Sequence, residues 1–408
     1  MKTNLADNIL MDLGSTTIKY FRFDGSGNLS DSGYFPRDYE RVVGEQAEAI
    51  LHDELGYNSK NDIVKICSSA NGGLKIGIIG YTERFSAKWA EKSAVNSGAN
   101  VLWATDIDNI DKVPSETVDI FVIAGGGNKS PIFRQSQWLK IIKNTPIKYE
   151  SIVFSGNELL HEVVRGLWPK IVCTRNVLGE DLNWQGEDLV ETLREAYLSD
   201  LVSKKGISNM RAFSSVPIIP TPAVVQKSFK AVLDLRTKFY FSTPLLMLDI
   251  GGATTDLFFG GELLPENGDL NPRPPINRHV FTDFGVYTSK DSLLRKLSLS
   301  HRLSDFLRAL DSSCAESRYL RIRENDIDWI GTDFLAEACF FLALDSCYSD
   351  LQGRVNLELD RVACVVVTGG ASQLCDAPKL KRIANICGAS NAKVVLDDEY
   401  QIWLEGMM

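Results

Sequence analysis

Apolar and polar positions alternate along the chain in blocks whose period changes, and the changes mark elements. Asn8 to Leu13 is a short apolar run, a turn of Gly, Ser and Thr follows, and Ile18 to Phe23 continues in an extended pattern broken by Asp24, Gly25, Ser26 and Gly27. This is the pattern of strand, turn, strand. Between Tyr39 and Leu55, the residues Val42, Val43, Ala47, Ile50 and Leu51 recur at the spacing of one helix face, ahead of a strand at Ile63 to Cys67.

From Leu74 to about Val177 the pattern changes. Short apolar runs at Ile76 to Ile79, Val101 to Ala104, Asp119 to Ala124, Ser151 to Phe154 and Lys170 to Cys173 alternate with amphipathic segments, which predicts βαβ units around a parallel sheet. Two of these runs end in small or polar clusters, Gly125 to Asn128 and Ser155 to Asn157. Ligands approach doubly wound sheets at such places, and each cluster alone is equally well a tight turn into a helix. A helix at Leu189 to Lys204 and a passage with Pro217, Pro220 and Pro222 lead to a second apolar strand, Leu245 to Ile250, again followed by a Gly and Thr turn. A third, Ala363 to Val367, ends in Thr368, Gly369 and Gly370. The expected division is a first lobe from 1–73 and 178–244, an inserted α/β block at 74–177, and a second lobe at 245–408.

The turns after the three strands carry the candidate chemistry. In Asp12-Leu13-Gly14-Ser15-Thr16-Thr17-Ile18-Lys19, Gly14 lets backbone approach a phosphate, and the N–H groups and hydroxyls of Ser15, Thr16 and Thr17 can donate to its oxygens. Lys19 supplies a cation there, and Asp12 is a hard oxygen ligand suited to Mg2+ held partly through water. Asp249-Ile250-Gly251-Gly252-Ala253-Thr254-Thr255-Asp256 repeats the arrangement in kind. One such hairpin is a common turn; two facing each other make a phosphate clamp with a carboxylate from each side. The third, Thr368-Gly369-Gly370-Ala371-Ser372, is by itself a plain strand-to-helix turn, and its order after the other two gives it weight.

Composition narrows the picture. A chain of 408 residues with 44% hydrophobic content buries a sizeable core, and a net charge of -9 with pI about 5.2 argues against a general grip on nucleic acid or anionic membrane. No apolar run approaches the roughly 20 residues of a membrane span, and Met1 to Asp7 lack the features of a secretory signal, so a cytoplasmic protein is expected. The eight cysteines are scattered without a C-x-x-C pair, and Cys67, Cys173 and Cys364 fall in apolar strands as buried thiols. His52, His161, His279 and His301 lie apart and are structural or solvated, and Lys204-Lys205 is a solvated helix end.

In chain order the three turns resemble the phosphate-one, phosphate-two and adenosine motifs of the superfamily that contains actin, hexose kinases and heat-shock chaperone ATPases. That resemblance implies an α/β, two-lobed actin-like ATPase with ribonuclease-H-like lobes and an inserted βαβ subdomain. It implies ATP and Mg2+ as ligands, with Asp12 and Asp249 as metal and water-positioning carboxylates. Gly14, Ser15, Thr16, Thr17, Lys19, Gly251, Gly252, Ala253, Thr254 and Thr255 would surround the phosphates, and Gly369, Gly370, Ala371 and Ser372 would approach the adenosine.

A closer similarity runs through Ser68-Ser69-Ala70-Asn71-Gly72-Gly73-Leu74, Asn96 to Val101, Ile123 to Asn128, Pro220-Thr221-Pro222-Ala223 and Asp283-Phe284-Gly285-Val286. These segments are similar to the glutamate-mutase-associated MutL family, which is distinct from the mismatch-repair protein of that name. The resemblance implies an ATP-driven chaperone or reactivator that releases damaged cofactor from an adenosylcobalamin-dependent mutase, whose subunits would be its partners. Two other expectations stay open. A small-molecule kinase on the same fold would need a carboxylate base, for which Asp256 and Asp283 are the nominees, and a nucleotide-dependent scaffold would assemble rather than turn over.

Overall fold

The structure is a computed structural model and describes residues 6–59, 61–69, 74–97, 99–203, 207, 209–234, 240–265, 276–348 and 356–408. The segment 70–73, Gly98 and the Lys204-Lys205 pair named above lie outside the described residues. By internal contacts the chain divides into one unit of Met1–Gly72 with Asn209–Met408 and a second unit of Gly73–Ser208.

The first unit opens with strands β1 (Asp7–Leu13), β2 (Thr17–Phe23) and β3 (Leu29–Pro36), helix α1 (Val43–Ala49) and strand β4 (Asp62–Ser68). The predicted helix to Leu55 ends in a π-helical turn at Ile50–Glu54. The second unit holds β5 (Lys75–Gly80), α2 (Lys88–Asn96), β6 (Asn100–Asp106), β7 (Val118–Gly125), α3 (Ile132–Asn144), β8 (Tyr149–Gly156), α4 (His161–Leu167), β9 (Val172–Cys173) and α5 (Glu187–Ser203). The chain then returns to the first unit through β10 (Ile219–Pro220) and α6 (Thr221–Leu233). The second lobe runs β11 (Leu245–Ile250), β12 (Thr255–Gly260), β13 (Ile276–Phe281), α7 (Lys290–Leu299), α8 (Leu303–Leu310), α9 (Ala315–Arg323) and α10 (Thr332–Tyr348). It finishes with β14 (Cys364–Thr368), α11 (Ala377–Ile386), β15 (Lys393–Leu396) and α12 (Gln401–Met407).

Two sheets of the first unit have one plan. Their orders are β10-β4-β1-β2-β3 and β13-β12-β11-β14-β15. In each, the opening strand pairs antiparallel with the second, the second antiparallel with the third, and the opening strand parallel with the fourth. The central strands read as continuous apolar runs because both faces are covered, β1 as Asn-Ile-Leu-Met-Asp-Leu and β11 as Leu-Leu-Met-Leu-Asp-Ile. β3, at an edge, is polar and largely exposed.

Helices α6 and α12 pack against both sheets. Val225, Phe229 and Val232 of α6 meet Met247, Phe258 and Val366 of the second sheet, while Val224 joins Leu10, Phe21, Cys67 and Trp403 against the first. The two helices cross so closely that a Cβ on Gly406 would overlap the Val224 carbonyl. A shared apolar layer of two helices thus joins the two sheets.

The second unit is a five-stranded parallel sheet of order β6-β5-β7-β8-β9, the alternation the sequence predicts. Its core joins Ile79, Phe121, Ile123 and Phe154 to Trp138, Leu139 and Ile142 of α3.

Candidate functional site

Each lobe ends its opening strand on a carboxylate followed by a tight turn. Asp12 and Asp249 both stand one residue from the strand end. The N–H of Gly14 donates to the Thr17 carbonyl at 2.9 Å, and the N–H of Gly251 donates to the Thr254 carbonyl at 2.9 Å, so the turns are the same down to their closing hydrogen bond. Register adds the neighbours: Asp12 lies opposite Lys19 and Cys67, and Asp249 opposite Asp256 and Thr368. In-register residues on adjacent strands share a sheet face. Each lobe therefore presents a row of three side chains, Lys19-Asp12-Cys67 in one and Asp256-Asp249-Thr368 in the other.

The first row is held by donors. Asp12 is buried, accepts from the Thr221 hydroxyl at 2.7 Å and the Cys67 thiol at 3.4 Å, and pairs with Lys19 at 3.5 Å. Trp403 donates its indole N–H to the Cys67 sulfur at 3.2 Å. Burial, reinforced by Asp12, pushes the Cys67 thiol well above its ordinary range, which keeps it protonated and able to donate. Burial works against the Lys19 charge, but Asp12, Tyr400 and Asp249 outweigh it and hold the ammonium above the usual lysine value. The Tyr400 ring lies 4.7 Å from Lys19 Nζ.

The second row is more acidic. Asp256 accepts from Arg278 Nε at 2.8 Å, which ties one carboxylate to a buried guanidinium. Asp249 is pushed up to about 7, by burial first and then by Asp256 and Asp12, with Lys19 opposing. Thr368 donates to Asp397 at 2.7 Å. Asp397 is the first residue after the fifth strand of its lobe, as Thr221 is in the other.

The three turns converge. A Cβ on Gly252 would overlap the Thr16 methyl, so the two hairpins are in contact. Gly369 has φ +86, a left-handed conformation that favours glycine, and a Cβ there would overlap the Asp249 carboxylate. A Cβ on Gly370 would stand 3.9 Å from Lys19 Nζ. Asp12, Lys19, Thr16, Asp249, Gly252, Gly369 and Gly370 are thus brought together. Ser15, Thr17, Ala253 and Thr254 are half-buried in the same two turns, with Gly14 and Gly251 at their bases. Thr255 and Ser372 support from within: the Thr255 hydroxyl donates to Phe284 O at 2.8 Å, and that of Ser372 faces the Gly369 and Asp397 carbonyls at 2.7 and 2.9 Å. Ala371 is buried, and the turn beyond Gly369 is a 3-10 helix at Gly370–Leu374 rather than the start of an α-helix.

Segments carrying the family resemblance buttress these turns. The N–H groups of Tyr287 and Thr288 donate to Gly252 O at 2.8 Å each, just after Asp283-Phe284-Gly285-Val286. Thr221 belongs to the Pro-Thr-Pro-Ala segment and touches Asp12. Sequence reasoning missed Thr221, Tyr400 and Trp403 and placed Cys67 only in the core. The one signal available was Cys67's position in a strand parallel to β1.

The residues present fit a nucleotide with Mg2+. Close-packed glycines let backbone approach a phosphate at the turns, and the carboxylates of Asp12 and Asp249 lie near one lysine, Lys19. Among the described residues no three His, Cys, Asp or Glu side chains group to hold a metal alone.

Two ribonuclease-H-like sheets in tandem, meeting at matched carboxylate hairpins, define a two-lobed actin-like α/β chain of the class that includes sugar kinases and chaperone ATPases. The chain belongs to the MutL protein family, whose profile matches residues 8–404. Protein MutL of Clostridium tetanomorphum is 28% identical over 399 residues, covering 89% of this chain and 85% of that protein. Among solved structures, the chain is similar to the activator of the 2-hydroxyisocaproyl-CoA dehydratase from Clostridium difficile with bound ADPNP, at 10% identity, 98% and 92% coverage and a TM-score of 0.33. It is also similar to a diol dehydratase-reactivating factor in nucleotide-free form, at 9% identity, 96% coverage of each chain and a TM-score of 0.33.

Proposed function

We propose that this protein is a Mg2+-dependent ATPase that acts as a reactivating chaperone for an adenosylcobalamin-dependent mutase such as glutamate mutase. The observation that carries the ATPase reading is the pair of hairpins in contact at Thr16 and Gly252, with Asp12 and Asp249 beside one lysine. Membership of the MutL family, which the sequence resemblance ties to such mutases, supports the partner.

In this reading the turn amides at Ser15 to Thr17 and Gly252 to Thr254 hold the phosphates, and the turn at Gly369 to Ala371 meets the adenosine. Asp12 and Asp249 would hold Mg2+, which would supply neutralising charge for the phosphates. Thr221 and Cys67 fix the Asp12 carboxylate so that it can orient an attacking water. Asp249 would position the same water from the facing hairpin. Hydrolysis then changes the angle between the two lobes of the first unit by shifting α6 against α12. Residues 74–177, within the compact second unit, are the proposed partner-facing module.

A kinase reading has less support, since Asp256 is paired with Arg278 and Asp283 with Lys296 at 2.8 Å. No helix among the described residues is long and apolar enough to cross a membrane, in keeping with a proposed cytoplasmic location. The test is to mix the purified protein with mutase subunits carrying inactivated cobalamin and follow cofactor release. Release that needs MgATP and fails with Asp12→Asn is expected; ATP turnover without any effect on the mutase sinks the chaperone reading.

A further inference from the structure

Arg37 directly follows β3 and runs beside the first hairpin. Its own N–H donates to the Thr16 carbonyl at 2.9 Å. Gln46 clasps both neighbours, donating to Pro36 O at 2.7 Å and accepting from the Asp38 N–H at 3.1 Å. The Tyr39 hydroxyl donates to Ser15 O at 3.1 Å. The backbone from Pro36 to Tyr39 is thereby pinned along the turn that bears Ser15 and Thr16.

The side chain is treated differently from its backbone. Nε and Nη1 of Arg37 are shut off from water, and no acceptor among the described residues meets either. Arg22, which lies one strand earlier in the same sheet, shows the ordinary case, donating to Asp7 at 2.9 Å and to the Leu55 carbonyl at 2.6 Å. Buried donors without acceptors are uncommon and costly, and an arginine's fork of donors matches the oxygens of a phosphate in paired contacts. The Tyr39 ring, 6.0 Å from the guanidinium carbon, flanks the group, and burial lowers its pKa from the usual arginine value. Thr16, whose carbonyl anchors Arg37, is the residue that touches Gly252 of the facing hairpin.

We infer that Arg37 is a phosphate-binding residue whose guanidinium grips the terminal phosphate of a nucleoside triphosphate seated across the Thr16 and Gly252 contact. This rests on the reading of the two hairpins as a nucleotide clamp. The terminal phosphate is the one concerned because the nucleoside end is assigned to the second lobe at Gly369, which leaves the far end of the chain of phosphates at the first hairpin. Arg37 then distinguishes triphosphate from diphosphate.

Calorimetric titration with Mg2+ and either ADP or a non-hydrolysable ATP analogue tests this on the full chain, as wild type, Arg37→Gln and Arg37→Lys. Arg37→Gln is expected to weaken the triphosphate analogue by about 10- to 100-fold while leaving ADP within about twofold, with Arg37→Lys between. The melting temperature of ligand-free Arg37→Gln should equal or exceed wild type, because two unpaired donors are removed. Unchanged affinity for both nucleotides in Arg37→Gln, or an equal loss for both with a lowered melting temperature, overturns the inference and leaves the clamp standing. A wild-type chain that binds neither nucleotide overturns the clamp and the inference together.

Discussion

Asp249 combines burial with two neighbouring carboxylates, and its consequences divide by sign. Its folded value of about 7 lies above the roughly 3.9 of an unfolded aspartate. The folded state therefore binds more protons between those limits, and stability contributed by this group falls as pH rises from about 4 to about 7 and is flat beyond. Asp249→Asn removes a buried charge without changing shape. Thermal unfolding of the nucleotide-free protein is expected to show the variant melting a few degrees higher near pH 7.5, the gap closing toward pH 4, while ATP turnover is lost. A variant that melts lower at pH 7.5 would mean the carboxylate is already neutralised by a partner. Thr221 acts on the other carboxylate. Thr221→Val removes the donor to Asp12, which is worth about 1.5 to 3 kcal/mol for a bond to a charged group. Turnover number should fall about tenfold or more with KM for ATP little changed.

At the scale of elements, the two turns were legible because they are local. Asp-x-Gly after an apolar strand shows itself within eight residues, and its repeat shows itself by order along the chain. Thr221, Cys67 and Tyr400 were illegible for the opposite reason: each reaches its place through pairing or crossing of elements far apart in sequence, which no local pattern encodes. The adenosine turn illustrates a middle case. The strand and glycines were visible, yet the left-handed Gly369 and the pull of Asp397 on Ser372 and Thr368 set a 3-10 turn where the pattern suggested a helix. Two glycine substitutions test this element by element. Gly369→Ala forces a left-handed alanine against Asp249 and should cost about 1 to 3 kcal/mol and abolish nucleotide binding. Gly370→Ala, which meets only Lys19 at 3.9 Å, should leave urea unfolding within about 0.5 kcal/mol of wild type.

At the scale of the molecule, the α6 and α12 layer is the joint through which a change at the turns can reach the lobes. Gly406→Ala wedges the crossing apart. It should lower stability by about 1 to 3 kcal/mol and weaken coupling, so that ATP hydrolysis persists while cofactor release from the mutase slows. Hydrolysis and release that slow in proportion would place the motion elsewhere.

The layer also bears on how the first unit comes into being. Leu10 and Cys67, near the start of the chain, share one apolar cluster with Val224, Trp403 and Met407. The first lobe's sheet is thus covered by the last helix of the second lobe, synthesised after all the other elements. Neither lobe is a self-sufficient folding unit, since each lacks part of its hydrophobic cover until the other has formed. Contacts of such long sequence separation form late and slowly, and they fuse the two sheets into a single cooperative transition. The first unit should therefore unfold as one body, with both phosphate turns lost together.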